Sequence, residues 1–99
     1  MQLRNEFEPI RDWAKERGIY EKGTVRVQFE KLLEEVNELN QAIIEKDKRE
    51  LIDAVGDCVV VLTNLSELAG VKIEDCINSA YNEIKNRKGQ MINGTFEKE

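Results

Sequence analysis

The sequence predicts an all-α protein, a four-helix bundle-like single domain over residues 1–99. Three observations favour this fold class: the single proline lies at position 9, most glycines stand at segment ends, and the apolar residues between them recur at spacings of three and four. No linker, repeat or low-complexity stretch divides the sequence. Since a chain of roughly 100 residues buries only a modest core, we expect stability to depend on regular packing or on a partner subunit.

The first two helices are predicted on either side of a loop from Gly18 to Gly23. The first covers about residues 8–17, and Gly18 follows it as a typical C′ residue. The second covers about residues 25–46, and Thr24 is a favourable N-cap for it. One apolar stripe runs along this second helix, formed by Phe29, Leu32, Leu33, Val36, Leu39 and Ile43.

The third helix is predicted over about residues 49–69, after a tight turn at Asp47 and Lys48 and before Gly70. Residues 58–62 are all apolar, so this helix is apolar on every side. The β-branched residues 59–61 would also suit a strand, but the flanking periodicity and the long run before Gly70 favour a helix. Such a helix must be covered all round, and we expect it to be the central helix or to meet another subunit.

The fourth helix is predicted over about residues 72–88, before Gly89. Its predicted inner face consists of Ile73, Cys76, Ile77, Ala80, Tyr81 and Ile84. Residues 89–99 form a C-terminal tail with a turn signal at Asn93 and Gly94. The sequence is compatible with either an extended arm or a frayed tail for this segment.

The composition excludes several functions. With no histidine, the chain cannot hold a Ser-His or Cys-His pair, an imidazole base or an HExxH zinc site. A net charge of −5 argues against nucleic-acid and anionic-membrane binding. The sequence has no signal core and no apolar run near the ~20 residues of a membrane span. Cys58 and Cys76, which have no CxxC spacing, predict reduced thiols in a cytoplasmic protein. Because histidine is absent, carboxylates must carry any acid–base or metal chemistry.

Six acidic residues lie in two rows on the second and third predicted helices. The rows are Glu34, Glu35 and Glu38, then Glu50, Asp53 and Asp57. Residues three, four or seven apart share a helix face, so antiparallel helices would place the rows across one groove. A solvated acidic face would also explain the first row by itself. Asp57 is different, because apolar residues follow it and no Lys or Arg occurs between Arg49 and Lys72.

A carboxylate in apolar surroundings costs several kcal/mol unless a cation or hydrogen-bond donors compensate it. We therefore expect a divalent metal at Asp57, and oxygen ligands favour Mg²⁺ or Mn²⁺. Magnesium in proteins commonly binds substrate phosphates as well. The densest basic cluster, Lys85, Arg87 and Lys88, would suit a triphosphate, although cations are also favourable at a helix C-terminus without any such role.

These motifs resemble a known family. The segment KLLEEVNEL at 31–39, followed by ELIDAVGD at 50–57 and an aliphatic run, is similar to the EExxE…ExxD pattern of the MazG-like, all-α nucleoside triphosphate pyrophosphohydrolases. Residues 13–20 and 81–89 also resemble small bacterial and phage-encoded members, so the similarity covers nearly the whole chain. The resemblance implies a bundle of about four helices, assembled as a homodimer or homotetramer. It also implies Mg²⁺-dependent cleavage of an NTP or dNTP to the monophosphate and pyrophosphate.

The resemblance also implies site residues. Glu35 and Glu38 match the metal ligands of EExxE, and Glu34 matches its leading glutamate. The sequence departs from the family at Asn37, where glycine is common, and at Ala54, which stands at the usual glutamate position when Asp57 is aligned with the family's aspartate. We therefore predict that Asp53 and Asp57 together supply the metal ligands of the third helix, with Glu50 at the rim.

The predicted mechanism is metal-assisted hydrolysis, in which water attacks the α-phosphorus. Glu34 or Asp53 would accept its proton. Lys85, Arg87 or Lys88 would stabilise the leaving pyrophosphate.

Trp13 is a candidate for stacking on the base, although a lone aromatic residue on a short amphipathic helix is more often part of the core. Gln28 is a candidate for hydrogen bonding to the base, and a plain surface amide is an equally simple interpretation of it. The alternatives to this function are a non-catalytic helical oligomer with a structural cation, or the same chemistry on dUTP or phosphoribosyl-ATP.

Overall fold

The computed structural model describes residues 5–99 as five helices followed by a two-stranded antiparallel hairpin. The helices are α1 (Phe7–Glu16), α2 (Ile19–Lys22), α3 (Val25–Glu45), α4 (Lys48–Leu68) and α5 (Ile73–Ile84), and the strands are β1 (Gly89–Ile92) and β2 (Thr95–Lys98). The described part of the chain is thus mostly helical, as the sequence predicts. The predicted bounds of the first three long helices agree with α1, α3 and α4 to within one residue.

The antiparallel pair of α3 and α4 forms the centre of the molecule. Its two helices are joined by a turn in which Lys46 takes a left-handed conformation, at a φ of 56°. Asp47 then caps α4, and its Oδ1 accepts a hydrogen bond from the Glu50 N–H at 3.1 Å. The Thr24 hydroxyl accepts from the Val27 N–H at 3.1 Å, which confirms the predicted N-cap of α3. These local caps fix where the two long helices begin.

Two segments differ from the prediction. The segment from Gly18 to Gly23, predicted as a loop, contains the short helix α2, which packs on α1 and α4. The fourth predicted helix ends at Ile84 instead of residue 88. Residues 85–88 instead form the turn into the hairpin, where the Gly89 backbone approaches the Glu97 carbonyl so closely that a β-carbon would clash with it.

The C-terminal tail is an ordered hairpin. Gly89 pairs with Lys98, and Ile92 pairs with Thr95 next to the turn. At the turn, Asn93 and Gly94 have φ values of 52° and 82°, as a type I′ turn requires. Of the two open interpretations of residues 89–99, the frayed tail is therefore wrong.

The single chain covers α4 on only part of its surface. The helix contacts α1, α2, α3 and α5, which confirms that it is central, and Val61 is buried. Four other apolar residues of α4 remain exposed at spacings of three, four and three. We call them the α4 stripe: Ile52, Val55, Val59 and Leu62. The predicted all-round cover is therefore not supplied within one chain.

The apolar faces predicted for two other helices are also largely exposed. Four members of the predicted α3 stripe are exposed, namely Phe29, Leu33, Val36 and Ile43. The predicted inner face of α5 lies mostly in solvent as well, at Cys76, Ile77, Ala80, Tyr81 and Ile84. Buried apolar residues of the described chain are few and mostly alanine: Ala14, Ala42, Ala54 and Val61.

A buried arginine ties α1 to α5. Arg11 is 7% exposed and donates two hydrogen bonds to the Glu74 carboxylate, at 2.8 and 2.6 Å. Its Nε also donates to Glu8 at 2.7 Å. The hydrogen bonds from Arg11 lower the pKa of Glu74 to about 2.

Because the folded pKa of Glu74 lies below its unfolded value of about 4.3, the stabilisation it contributes is complete above that pH and is lost as the pH falls towards 2. We expect Glu74→Gln to lower the free energy of unfolding by ~1 kcal/mol at pH 7, a small value because Glu74 is one third exposed. Urea unfolding at pH 7, 5, 4 and 3 should show this difference shrinking with acidity. Glu83→Gln, an exposed carboxylate on the same helix, is the control and should show no such trend.

No single helix within residues 5–99 is long and apolar enough to cross a membrane. Taken together, α4 and α5 have the length and composition of a membrane span, but the pair is bent by 104°. Both cysteines are free, Cys58 half-buried and Cys76 exposed.

Candidate functional site

Three carboxylates from the two central helices converge at one point. Glu35 and Glu38 lie one turn apart on α3, and Asp57 faces them from α4. One oxygen atom of each lies within 4.8 Å of the other two. Like charges this close repel each other, and a bound cation or a proton on one carboxylate would relieve the repulsion.

Glu35 is the buried member of this cluster. It is 6% exposed, and its Oε2 has no hydrogen-bond partner among the described residues. Its Oε1 lies 3.6 Å from Lys31 Nζ. Burial raises the pKa of Glu35, and the nearby Glu38 carboxylate raises it further. A buried carboxylate oxygen without a partner, beside two other carboxylates, fits a divalent cation, and an all-oxygen donor set suits Mg²⁺ or Mn²⁺.

The environment predicted for Asp57 is wrong, because its side chain is exposed. Of the apolar residues that follow it, Val59 belongs to the exposed α4 stripe, while Val60 and Val61 line a cavity together with Asp57. Asp57 itself lines three adjoining cavities, which keep its carboxylate in contact with solvent. The buried carboxylate that the sequence placed at position 57 is in fact at position 35.

The first of these cavities is an acidic groove of 320 Å³ between α3 and α4. Its lining residues are Glu38, Gln41, Ala42, Glu45, Glu50, Asp53, Ala54 and Asp57. Asp53 therefore lies in the same groove as Asp57, one turn away, and Glu50 lies a further turn along. Ala54 is buried in the groove wall, where its methyl group offers no ligand to a metal.

A second cavity, which we call the Trp13 cavity, has a volume of 310 Å³. Its polar and aromatic lining consists of Trp13, Gln28, Lys31, Glu35, Asp57 and Asn64. The remaining lining is apolar, from Ile19, Val27, Val60 and Val61. Trp13 and Gln28, both singled out from the sequence, thus lie in one cavity with two of the three clustered carboxylates.

Comparison with known proteins identifies the family. The family model of the MazG nucleotide pyrophosphohydrolase domain matches residues 24–92, which is 69 of the 99 residues. The chain belongs to the MazG family. The match spans α3 and α4, the two helices that hold the carboxylate cluster, and MazG proteins are nucleoside triphosphate pyrophosphohydrolases, a class of hydrolases.

A curated relative is known from a bacteriophage. The MazG chain is 36% identical over 58 residues to the "Uncharacterized 18.2 kDa protein in rep-hol intergenic region" of Haemophilus phage HP1 (strain HP1c1). The alignment covers 59% of this chain and 36% of the relative, so the chain spans about a third of the length of that protein. No solved structure matches the chain.

Lys31 lies beside the carboxylate cluster and was not singled out from the sequence. Its ammonium lies 3.3 Å from Glu34 and 3.6 Å from Glu35, and its side chain lines the Trp13 cavity. The spacing of three and four residues to the two glutamates is the signal that would have revealed it. Glu34 itself is exposed, paired with Lys31, and lines neither the acidic groove nor the Trp13 cavity.

The predicted phosphate-binding cluster lies apart from the MazG carboxylates in the single chain. Lys85, Arg87 and Lys88 are exposed in the turn after α5. None of the three lines the acidic groove or the Trp13 cavity. One chain by itself therefore does not bring this basic cluster to the carboxylates.

Proposed function

We propose that this MazG chain is a Mg²⁺-dependent nucleoside triphosphate pyrophosphohydrolase that converts an NTP or dNTP to the monophosphate and pyrophosphate. The observation that carries the proposal is the buried, unpartnered Oε2 of Glu35 beside Glu38 and Asp57. Glu35 and Asp57 also line the Trp13 cavity, which is large enough to accept part of a nucleotide.

Glu35, Glu38 and Asp57 would hold the metal, with Asp53 as a further ligand from the acidic groove. Bound Mg²⁺ supplies charge neutralisation for the phosphates and a water of lowered pKa. Asp53 is our preferred acceptor of the proton from the water that attacks the α-phosphorus, because it shares the groove with Asp57. Glu34 would first have to leave its ion pair with Lys31 to take that role.

Positive and aromatic side chains would bind the rest of the substrate. Lys31 is the cation of the Trp13 cavity, so we assign it to the phosphates. Lys85, Arg87 and Lys88 would stabilise the leaving pyrophosphate only from a second copy of the chain. Trp13 would stack on the base and Gln28 would hydrogen-bond it.

Pyrophosphate release from a panel of NTPs and dNTPs, including dUTP, tests the proposed function. We expect release with Mg²⁺ or Mn²⁺ that stops on adding a chelator. Thermal unfolding provides a readout independent of turnover: Mg²⁺ should raise the melting temperature, and a non-hydrolysable triphosphate should raise it further. A protein that responds to neither would be the non-catalytic oligomer instead.

We also propose that the protein is a homodimer or homotetramer. The α4 stripe and the exposed faces of α3 and α5 leave many large apolar side chains in solvent, whereas few are buried. Exposed apolar helix faces of this kind are typical of subunit interfaces.

A further inference from the structure

The C-terminal hairpin has one apolar face that its own chain leaves uncovered. Residues directly opposite each other in an antiparallel pair lie on the same face, and successive pairs alternate between the two faces. Met91 is paired with Phe96, and the Phe96 ring lies over Gly89 on the same face. Met91 is 67% exposed and Phe96 is 46% exposed. The opposite face is mainly polar, with Gln90, Ile92, Thr95 and Glu97.

The hairpin also lacks support from the helices. Its strands β1 and β2 pair with each other, and within residues 5–99 neither strand packs on a helix beyond an isolated contact. A hairpin of two strands is marginally stable in water unless its apolar face packs on another element. Since its own chain does not supply that element, we expect the face of Met91 and Phe96 to be covered by a different chain.

The accessible surface of the chain indicates a large interface with a partner. The chain exposes 8012 Å², whereas a compact monomer of 11.5 kDa exposes about 5,800 Å². The excess of about 2,200 Å² exceeds the ~800 Å² that each partner buries in a standard interface and lies in the range of obligate homo-oligomers. The radius of gyration of 15.8 Å is also larger than the ~12.6 Å of a compact domain of this length.

The distribution of charge favours a second copy of the same chain as that partner. Residues 85–99 contain four basic and two acidic residues, whereas residues 1–84 contain 11 basic and 18 acidic residues. The hairpin segment is therefore positive and the rest of the chain strongly negative. Because the hairpin does not pack on its own helices, this complementarity acts between copies.

We propose that residues 85–99 are an arm that docks on the helices of a second copy of this chain. The face of Met91 and Phe96 packs on exposed apolar side chains of that copy, and the basic residues of the arm lie near its acidic ones. In a symmetric dimer each chain provides one arm and receives one, which adds to the contact at the α4 stripe. This inference rests on the proposed homo-oligomer and not on the pyrophosphohydrolase activity.

A mixed-label NMR experiment on the wild-type protein tests the docking. One set of chains is deuterated except for ¹³C-labelled methionine methyl groups and is refolded from urea together with unlabelled chains. The chain has two methionines, and Met91→Leu identifies the Met91 signal. The labelled chains hold no other protons on carbon, so nuclear Overhauser effects from the Met91 methyl group to protons on unlabelled carbon come from the second copy. We expect such effects to the methyl protons of Leu, Ile or Val.

The rate of subunit exchange is a second readout with a matched control. Energy transfer between chains that carry a donor dye and chains that carry an acceptor dye follows this rate. Phe96→Lys places a charge on the apolar face, and we expect it to accelerate exchange about tenfold or more. Thr95→Lys adds the same charge at the adjacent position on the opposite face and should change the rate by less than about twofold.

The outcomes separate the arm from the oligomer. A monomeric wild type without energy transfer would overturn both. An oligomer in which Met91 shows no Overhauser effect to the second copy would overturn the arm alone, as would equal exchange rates for Phe96→Lys and Thr95→Lys. If Phe96→Lys does not fold, the NMR result on the wild type decides. Neither readout depends on pyrophosphate release, so a failure of the proposed enzymatic activity is recognised separately.

Discussion

Replacing Asp57 by Asn is expected to reduce pyrophosphate release by on the order of 100-fold or more. The substitution preserves the shape of the side chain but removes one of three negative charges whose oxygens lie within 4.8 Å. The metal would then lose one of its three clustered ligands, and the negative charge that balances Mg²⁺ in the site would decrease. Initial rates on the best triphosphate over a range of Mg²⁺ concentrations would measure this loss.

The same variant should not be less stable than the wild type without metal. Removing one of three repelling carboxylates relieves unfavourable electrostatics, so the melting temperature in a chelator should stay the same or rise. The increase that Mg²⁺ produces in the wild type should largely disappear. Asp75→Asn, an exposed aspartate on α5, should preserve both activity and the Mg²⁺ response. Activity of Asp57→Asn within a few-fold of the wild type would contradict the assigned metal site.

Replacing Val55 by Glu is expected to dissociate the proposed oligomer into single chains of 11.5 kDa. Val55 belongs to the α4 stripe and is 48% exposed, so the new carboxylate reaches solvent in an isolated chain without disturbing its core. In a symmetric dimer that buries this stripe, each substitution occurs twice in one interface, and two desolvated charges would oppose each other. The expected wild-type mass is two or four times that of the single chain.

Light scattering coupled to size-exclusion chromatography would measure these masses. Val71→Glu is the matched control, because Val71 is also 48% exposed but lies outside the α4 stripe. It should retain the wild-type mass. Since folding and assembly are linked, we also expect the wild-type melting temperature to rise with protein concentration and that of Val55→Glu to be independent of it. A monomeric wild type, or an unchanged mass for Val55→Glu, would contradict an interface at the α4 stripe.

The local structure was largely predictable from the sequence because its signals act over a few residues. Thr24 caps α3 through an N–H three residues away, and Gly18 ends α1 by adopting a positive φ. The turn at Asn93 and Gly94 was recognised for the same reason. The local sequence did not predict whether that turn joins two paired strands, because two short exposed strands have little intrinsic stability.

The proximity of Glu35, Glu38 and Asp57 was also predictable, since helical spacing and an antiparallel turn place them across one groove. The sequence by itself thus determined α1, α3 and α4, the family resemblance and the three carboxylates.

Only the tertiary structure decided which carboxylate is buried, that Lys31 accompanies it, and that Tyr20 engages Asn64 from 44 residues away. Burial depends on the angle at which a helix meets its neighbours, and that angle results from packing over the whole chain.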